Sequence, residues 1–194
     1  MKNEFLKHLR ENPLVKYAVK HLAESDFAMH GMVTCDHYRN DELIHTQTGK
    51  NTFTTEGMAR LLNIVFRAQA TEAAIYVGIF KNNVTPAVGD TAAAKLGAAG
   101  TYGECQDADY DSPATNKPAY TIASTSTASC TNAASAASFT MAGSITVYGA
   151  FLSTVAAKTA TTGTLFAAKA FTSSRAVIDN DVLAVTYIIT ATTS

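Results

Sequence analysis

The sequence predicts a mainly β protein: an antiparallel β-sandwich-like domain with one amphipathic helix, preceded by an N-terminal arm of short α-helices and a β-hairpin. From Pro118 onward, runs rich in β-branched and aromatic residues alternate with Ser, Thr and Gly turns, as in short sandwich strands. All five histidines lie at or before His45, and no acidic residue occurs between Ser112 and Ile178. This change in composition predicts an arm over residues 1–50 and a sandwich domain over residues 51–194.

The arm begins with two predicted helices. Residues 2–11 place Phe5, Leu6 and Leu9 on one helical face. A second helix starts at Pro13 after Asn12, a favourable capping residue. Its apolar face carries Leu14, Tyr17, Ala18, His21 and Leu22. Because short helices are marginal alone in water, these faces need a partner, either the rest of the chain or a neighbouring subunit. We expect residues 1–45 to be loosely ordered in the free protein and ordered in an assembly.

A hairpin completes the predicted arm. Residues 27–38 predict a strand with a bulge at Gly31. Residues 39–42 form a polar turn, and residues 43–48 form the return strand.

Residues 54–68 predict an amphipathic helix. Thr54 is a favourable N-cap, and Glu56 lies in the first turn, where the helix dipole favours a carboxylate. The apolar residues recur at helical spacing and form one face, namely Met58, Leu61, Leu62, Val65 and Phe66. The simplest expectation is a core helix whose apolar face packs on a sheet.

The remaining elements are strands and loops. Residues 74–80 predict a buried strand, and residues 81–117 predict a long loop or a set of short edge strands. Residues 179–181 predict a tight turn between the last two strands. The other predicted strands cover residues 119–127, 138–141, 144–155, 164–171, 175–178 and 182–190.

One short motif runs from Asn51 to Met58 and continues through Leu61-Leu62, and a second is the stretch Ile75-Tyr76-Val77-Gly78-Ile79-Phe80. Further motifs are a loop ending near Thr91-Ala92, the stretch Val147-Tyr148-Gly149-Ala150-Phe151-Leu152 and the turn Asn180-Asp181-Val182-Leu183. Together these motifs resemble those of minor structural proteins of tailed bacteriophages. The resemblance covers about residues 45–190 and leaves the first 45 residues unmatched.

The resemblance implies a structural component of a virion that is made in the host cytoplasm. The first expectation is a capsid decoration (cement) protein that binds the outer head surface, with the major capsid protein as partner, and forms a homo-oligomer. The alternatives are a collar, neck or tail-associated protein, and a receptor- or carbohydrate-binding module. For a sugar site, Tyr102, Tyr110 and Tyr120 are the candidate stacking residues.

Composition argues against other classes of partner. The net charge is −1 and the basic residues are scattered, which disfavours nucleic-acid binding. The sequence contains neither a signal-peptide pattern nor an apolar run long enough to cross a membrane. Cys35, Cys105 and Cys130 are odd in number and widely spaced, which favours free thiols.

Three groups of polar residues are candidate sites. His37 and His45 flank the hairpin turn and are expected to face each other, but two ligands are too few for zinc, which favours exposed or interfacial histidines. Asp107, Asp109 and Asp111 begin like a calcium loop, but the required Gly and Glu positions are Ser112 and Pro118. We therefore expect a solvated acidic loop there. Asp179 and Asp181 are expected to be exposed at a hairpin tip, in a turn role.

No pattern predicts an enzyme. The stretch 97–100 lacks the Gly-Lys-Ser/Thr ending of a phosphate loop, and no G-x-S-x-G elbow occurs. The sequence therefore predicts neither catalytic residues nor a cofactor or metal site.

Overall fold

The computed structural model describes residues 27–123, 127–158 and 160–193. The helices predicted over residues 2–11 and 13–22 lie outside the described residues.

Two antiparallel sheets make up the fold, so the mainly β, sandwich-like prediction is confirmed. The six-stranded sheet has the order β2-β1-β10-β7-β5, and β6 pairs with one end of β10. Its strands are β1 (Phe27–Arg39), β2 (Glu42–Lys50), β5 (Tyr110–Ser112), β6 (Ser129–Thr131), β7 (Ala137–Met141) and β10 (Val182–Thr193). The second sheet has the order β3-β9-β8-β4. Its strands are β3 (Thr52–Phe53), β4 (Tyr76–Phe80), β8 (Ile145–Ser153) and β9 (Leu165–Val177). The helices are α1 (Thr55–Arg67) and α2 (Ala92–Lys95), with a 3₁₀ turn at Ala133–Ser135.

The main core lies between the two sheets. Val33 and Leu183 of the six-stranded sheet share one buried cluster with Val77, Val147 and Leu152 of the four-stranded sheet. Along β1 and β10, buried residues alternate with less buried ones, because successive side chains of a strand point to opposite faces.

The predicted hairpin is an integral part of the larger sheet. Asn40 and Asp41 both have positive φ, which suits the two-residue turn of a twisted hairpin. β1 then pairs with β10 from Phe27 opposite Thr193 to Tyr38 opposite Val182. Residues 27–50 are thus built into the sandwich, and the boundary predicted at residue 50 falls between β2 and β3.

The bulge is not where the sequence suggested. Gly31 pairs regularly with Ile189, and the register shift lies between His37 and Tyr38. Gly31 serves a packing role instead, because a Cβ there would overlap the side chain of Asn51.

Three of the predicted strands differ from the structure. The strands predicted at 164–171 and 175–178 are one strand, β9, whose residues 171–174 loop out between two paired stretches. The side-chain amide of Gln47 exchanges two hydrogen bonds with the Ser173 backbone, at 2.9 and 3.1 Å, and so ties this irregular part to β2. Residues 119–123 form no strand, and Ala119 makes only a single bridge to Tyr76.

β4 and β8 are locked together by a reciprocal glycine–phenylalanine arrangement. Gly78 lies opposite Phe151, and Phe80 lies opposite Gly149. Each ring occupies the space that a Cβ on the opposite glycine would need. The two resemblance motifs containing these residues are therefore cross-strand partners.

The first part of the long segment, residues 81–102, covers the outer face of the four-stranded sheet. Leu96 of α2's C-cap and Tyr102 form a second buried cluster with Phe80, Phe151 and Leu165. The rings of Tyr102 and Phe80 lie 4.7 Å apart between centroids. Residues 81–102 are thus a third packed layer, whereas β5, later in the segment, belongs to the six-stranded sheet.

We expect Gly78→Ala to destabilise the protein by roughly 1–3 kcal/mol, because its methyl group would enter space already filled by the Phe151 ring. Gly143→Ala is the matched control, because nothing lies within 4 Å of the added Cβ; we expect its effect to stay within about 0.5 kcal/mol. Urea unfolding of both variants checks this, and equal midpoints would contradict it.

Candidate interaction surface

Helix α1 is anchored firmly at its N-terminus. The Thr54 side chain accepts a hydrogen bond from the Gly57 amide at 3.0 Å, and its hydroxyl donates to the Leu165 carbonyl. The Glu56 carboxylate accepts from the amides of Ala92 at 2.9 Å and Leu165 at 2.7 Å. The predicted helix and its cap are therefore confirmed, and α1 starts against β9 and α2.

The C-terminal half of α1 is exposed, which contradicts the expectation of a core helix. Gly57 is its only buried residue, and it lies directly against Phe166. In contrast, Leu62, Val65 and Phe66 are 53%, 68% and 77% exposed. The sequence pattern locates an apolar face correctly but cannot say whether this chain covers it.

Polar contacts rather than apolar packing hold the end of α1. The Arg60 guanidinium donates to the Glu72 carboxylate at 2.6 Å, the Gln69 amide oxygen at 2.7 Å and the Ala70 carbonyl at 2.8 Å. Ala68 ends the helix in the left-handed region. The segment after α1 is thus fixed, while no described residue of the chain covers the apolar face.

A groove runs between this face and the start of β1. The groove encloses about 530 Å³. We call it the α1 groove and define it by Met29, Met58, Leu61, Leu62, Val65 and Phe66. A second apolar hollow of about 340 Å³ adjoins it, sharing Met29 and Leu61 and reaching Ile75, Tyr120 and Phe166. Open apolar surface of this kind is typical of protein interaction sites.

His37 is buried in a charge network instead of being exposed or interfacial. His37 and His45 are cross-strand partners, as predicted. An arginine can only donate, so the Nη2–H of Arg175, 3.1 Å from His37 Nδ1, makes that nitrogen an acceptor. Nε2–H then donates to the Asp181 carboxylate at 2.9 Å. Burial lowers the pKa of His37, and the ring is neutral. His8 and His21 lie outside the described residues, and His30 is exposed.

Asp181 is the centre of this network, so its predicted exposure is wrong. It accepts two hydrogen bonds from Arg39, at 2.9 and 2.7 Å, and one from the Ile178 amide at 2.9 Å. The Arg39 guanidinium holds the pKa of the Asp181 carboxyl far below its usual range. Asp179 is exposed at the turn, as predicted. No sequence signal pointed to this burial, because Arg39 is 142 positions away and comes close to Asp181 only through the pairing of β1 with β10.

The acidic residues at 107–111 have separate surroundings and do not form a calcium loop. Asp109 is buried and paired with Lys81 at 2.7 Å, so it is not part of a solvated acidic loop. Asp107 is exposed and pairs with Lys158 at 3.0 Å, while Asp111 is exposed. Within the described parts of the chain, no group of three or more His, Cys, Asp or Glu side chains is placed to hold a metal ion.

A fully buried ion pair fixes the long segment. Lys117 Nζ lies 2.8 Å from Glu104 and 2.7 Å from the Ala157 carbonyl. The other Glu104 oxygen accepts from the Gly97 amide at 2.8 Å. Burial lowers the pKa of Lys117 and raises that of Glu104, because removal from water disfavours the charged form of each group. The sequence did not reveal this pair, because its members are far from any motif.

The predicted stacking residues for a sugar are buried side chains. Tyr102, Tyr110 and Tyr120 are all buried. Tyr102 donates to Asp90 at 2.8 Å, and Tyr110 packs edge-on against Phe139. These three residues therefore give no support to a carbohydrate-binding surface.

The cysteines are free thiols, as predicted. Burial raises the pKa of Cys35 to about 12 and also raises that of buried Cys105. Both are inert packing residues.

No known protein-family model matches this chain, and no curated protein sequence is detectably similar to it. Among the described residues, no helix is long and apolar enough to cross a membrane.

Lys117→Met should cost roughly 3–5 kcal/mol of unfolding free energy, because it leaves the Glu104 carboxylate buried without a counterion. Lys95→Met is the control; its loss should be smaller, because Lys95 is partly exposed and Asp90 keeps hydrogen bonds from Tyr102 and the Ala87 amide. In a urea-denaturation double-mutant cycle, adding Glu104→Gln should recover part of the Lys117→Met loss. Purely additive losses would contradict a coupled pair.

The stability of the protein should fall as the pH drops below 6.5, the ordinary pKa of histidine. The folded pKa of His37 is lowered, so below 6.5 the unfolded chain binds a proton that the folded chain excludes. The contribution of the neutral His37 ring to the free energy of unfolding is complete above pH 6.5 and is lost as the pH falls below it. His37 is faced by Arg39, Arg175 and Asp181, whose own charges are constant in this window.

Urea unfolding at about pH 7.5 and about pH 5.5 measures this dependence. His37→Gln should flatten the pH dependence, whereas His30→Gln, at an exposed site, should leave it unchanged. If the free energy of unfolding changed equally with pH in the wild type and in His37→Gln, His37 would not be the source of the pH dependence.

Proposed function

We propose that this protein is a non-enzymatic structural component of a tailed-phage virion, acting as a head decoration protein that binds the outer capsid surface and stabilises the shell. The observation that carries the proposal is the exposed apolar face of α1, where Leu62, Val65 and Phe66 form part of an open groove. A contiguous apolar surface on a rigid β domain favours contact with other protein subunits.

Other features of the described residues fit this role. The long segment 81–117 is packed against the sheets and is held by the buried Lys117–Glu104 pair and by the Lys81–Asp109 pair. The buried charges point to internal partners. Such a body suits a particle component that must keep its shape while it holds neighbouring subunits.

The location on the particle is tested by adding the purified protein to capsids that lack it and imaging them by cryo-electron microscopy. We expect density over the whole icosahedral shell and greater resistance of the decorated capsids to heat. Density restricted to the portal vertex would replace the head assignment with a collar, neck or tail-associated role. Bare capsids and bare tails together would overturn the virion proposal.

Val65→Asp should weaken capsid binding by about tenfold or more, because it places a charge in the apolar contact face. Val88→Asp is the matched control; Val88 is 64% exposed, close to the 68% of Val65, and lies outside the α1 groove. Titration of each variant onto capsids measures the affinity. Equal weakening by both substitutions would show that α1 is not the contact surface.

A further inference from the structure

The six-stranded sheet ends in a long strand edge. β2 (Glu42–Lys50) pairs with β1 along one side and is the last strand in the order β2-β1-β10-β7-β5. Among the strands that the structure describes, none pairs with its other side. In contrast, the edge strand β4 of the other sheet is bridged by Ala119 and Glu104. An unpaired edge presents backbone N–H and C=O groups that can bind another strand.

The hydrogen bonds between β1 and β2 show which backbone groups face outward. The Asn51 amide donates to the Gly31 carbonyl at 3.0 Å, and hydrogen-bonded and non-hydrogen-bonded pairs alternate along an antiparallel ladder. Thr46 and Thr48 therefore belong to non-hydrogen-bonded pairs, whose side chains lie close together. In agreement, the Thr46 hydroxyl donates to its cross-strand partner Asp36 at 2.8 Å. The backbone N–H and C=O groups of Thr46 and Thr48 thus point away from β1.

The order of charges along β2 fits a second copy of the same strand. Glu42 begins the strand, Lys50 ends it, and both are exposed. An antiparallel pair of identical strands centred on Thr46 places Glu42 of each copy opposite Lys50 of the other, so both ends gain an attractive pair. Residues 43–49 contain no Asp, Glu, Lys, Arg or Pro. Leu43 and Ile44, which are 53% and 45% exposed, add apolar surface for a second copy to cover.

We propose that two copies of this chain join through their β2 edges, with Thr46 at the two-fold axis, so that their six-stranded sheets form one continuous sheet. Backbone hydrogen bonds make the contact, as in other cases of strand addition to a sheet edge. The charges set the direction, because a parallel pair would place like charges side by side at both ends. The interface uses none of the residues that line the α1 groove and goes beyond the proposed function.

Reversed charges test both the contact and its register. Glu42→Lys places two lysines opposite each other at both ends of the pair, and Lys50→Glu does the same with two carboxylates. At low salt, we expect each variant alone to dimerise about fivefold or more weakly than the wild type in analytical ultracentrifugation. An equimolar mixture of the two variants should regain wild-type affinity. In the heterodimer, the new lysine meets the new glutamate at one end, and Lys50 meets Glu42 at the other.

Thr46→Pro tests the backbone contact without a change of charge. Proline lacks the N–H at the centre of the pair, and this N–H points away from β1, so the ladder between β1 and β2 keeps its hydrogen bonds. We expect dimerisation to weaken at least tenfold. Thr46→Val is the matched control, because it also loses the hydrogen bond to Asp36 but keeps the N–H; it should dimerise like the wild type. If circular dichroism shows that Thr46→Pro is misfolded, the charge variants decide.

Three results would overturn the β2 interface. The first is a monomeric wild type. The second is a mixture of the two charge variants that associates no better than either variant alone. The third is equal dimerisation of folded Thr46→Pro and Thr46→Val.

The proposed function can fail separately. A dimeric wild type with the expected variant behaviour that binds neither capsids nor tails would retain the β2 interface and lose the virion role. A monomeric wild type that decorates capsids would retain the virion role and overturn the β2 interface.

Discussion

The reciprocal packing of Phe80 over Gly149 and of Phe151 over Gly78 sets the register between β4 and β8 and places both aromatic rings on the outer face of the four-stranded sheet. A shift of β4 by one residue would place each ring against a side chain and turn the inward residues of the strand outward. Because both rings project on the outer side, they create an apolar surface there. Tyr102 covers this surface, and with it residues 81–102 become a third layer of the fold.

Charged side chains hold this layered structure at places where apolar packing ends. The Asp181 carboxylate accepts hydrogen bonds from Arg39, from His37 and from a backbone amide at the turn between β9 and β10. Within the long segment, Lys117 pairs with Glu104. Buried ion pairs contribute little net stability but are costly to break. They therefore select one arrangement of these loops.

Helix α1 differs from the rest of the described chain in having an apolar face without a cover. Its first turn is fixed through Thr54 and Glu56, yet Val65 and Phe66 lie open beside Met29. A rigidly positioned apolar groove is pre-organised for binding, because little ordering of the helix is needed when a partner arrives. This surface is the part of the described chain that supports the proposed role in assembly.

The sequence by itself determined the β class, the α1 cap and its apolar face, and the hairpin turn at Asn40-Asp41, because these follow from local periodicity and backbone preference. Only the tertiary structure decided that β9 is one strand, that Asp181 is buried, and that the apolar face of α1 is open. Those outcomes depend on which residues, distant in the sequence, come into contact in the folded chain. Arg39 and Asp181 are separated by 142 positions and meet only because β1 lies beside β10, and local pattern carries no information about such a meeting.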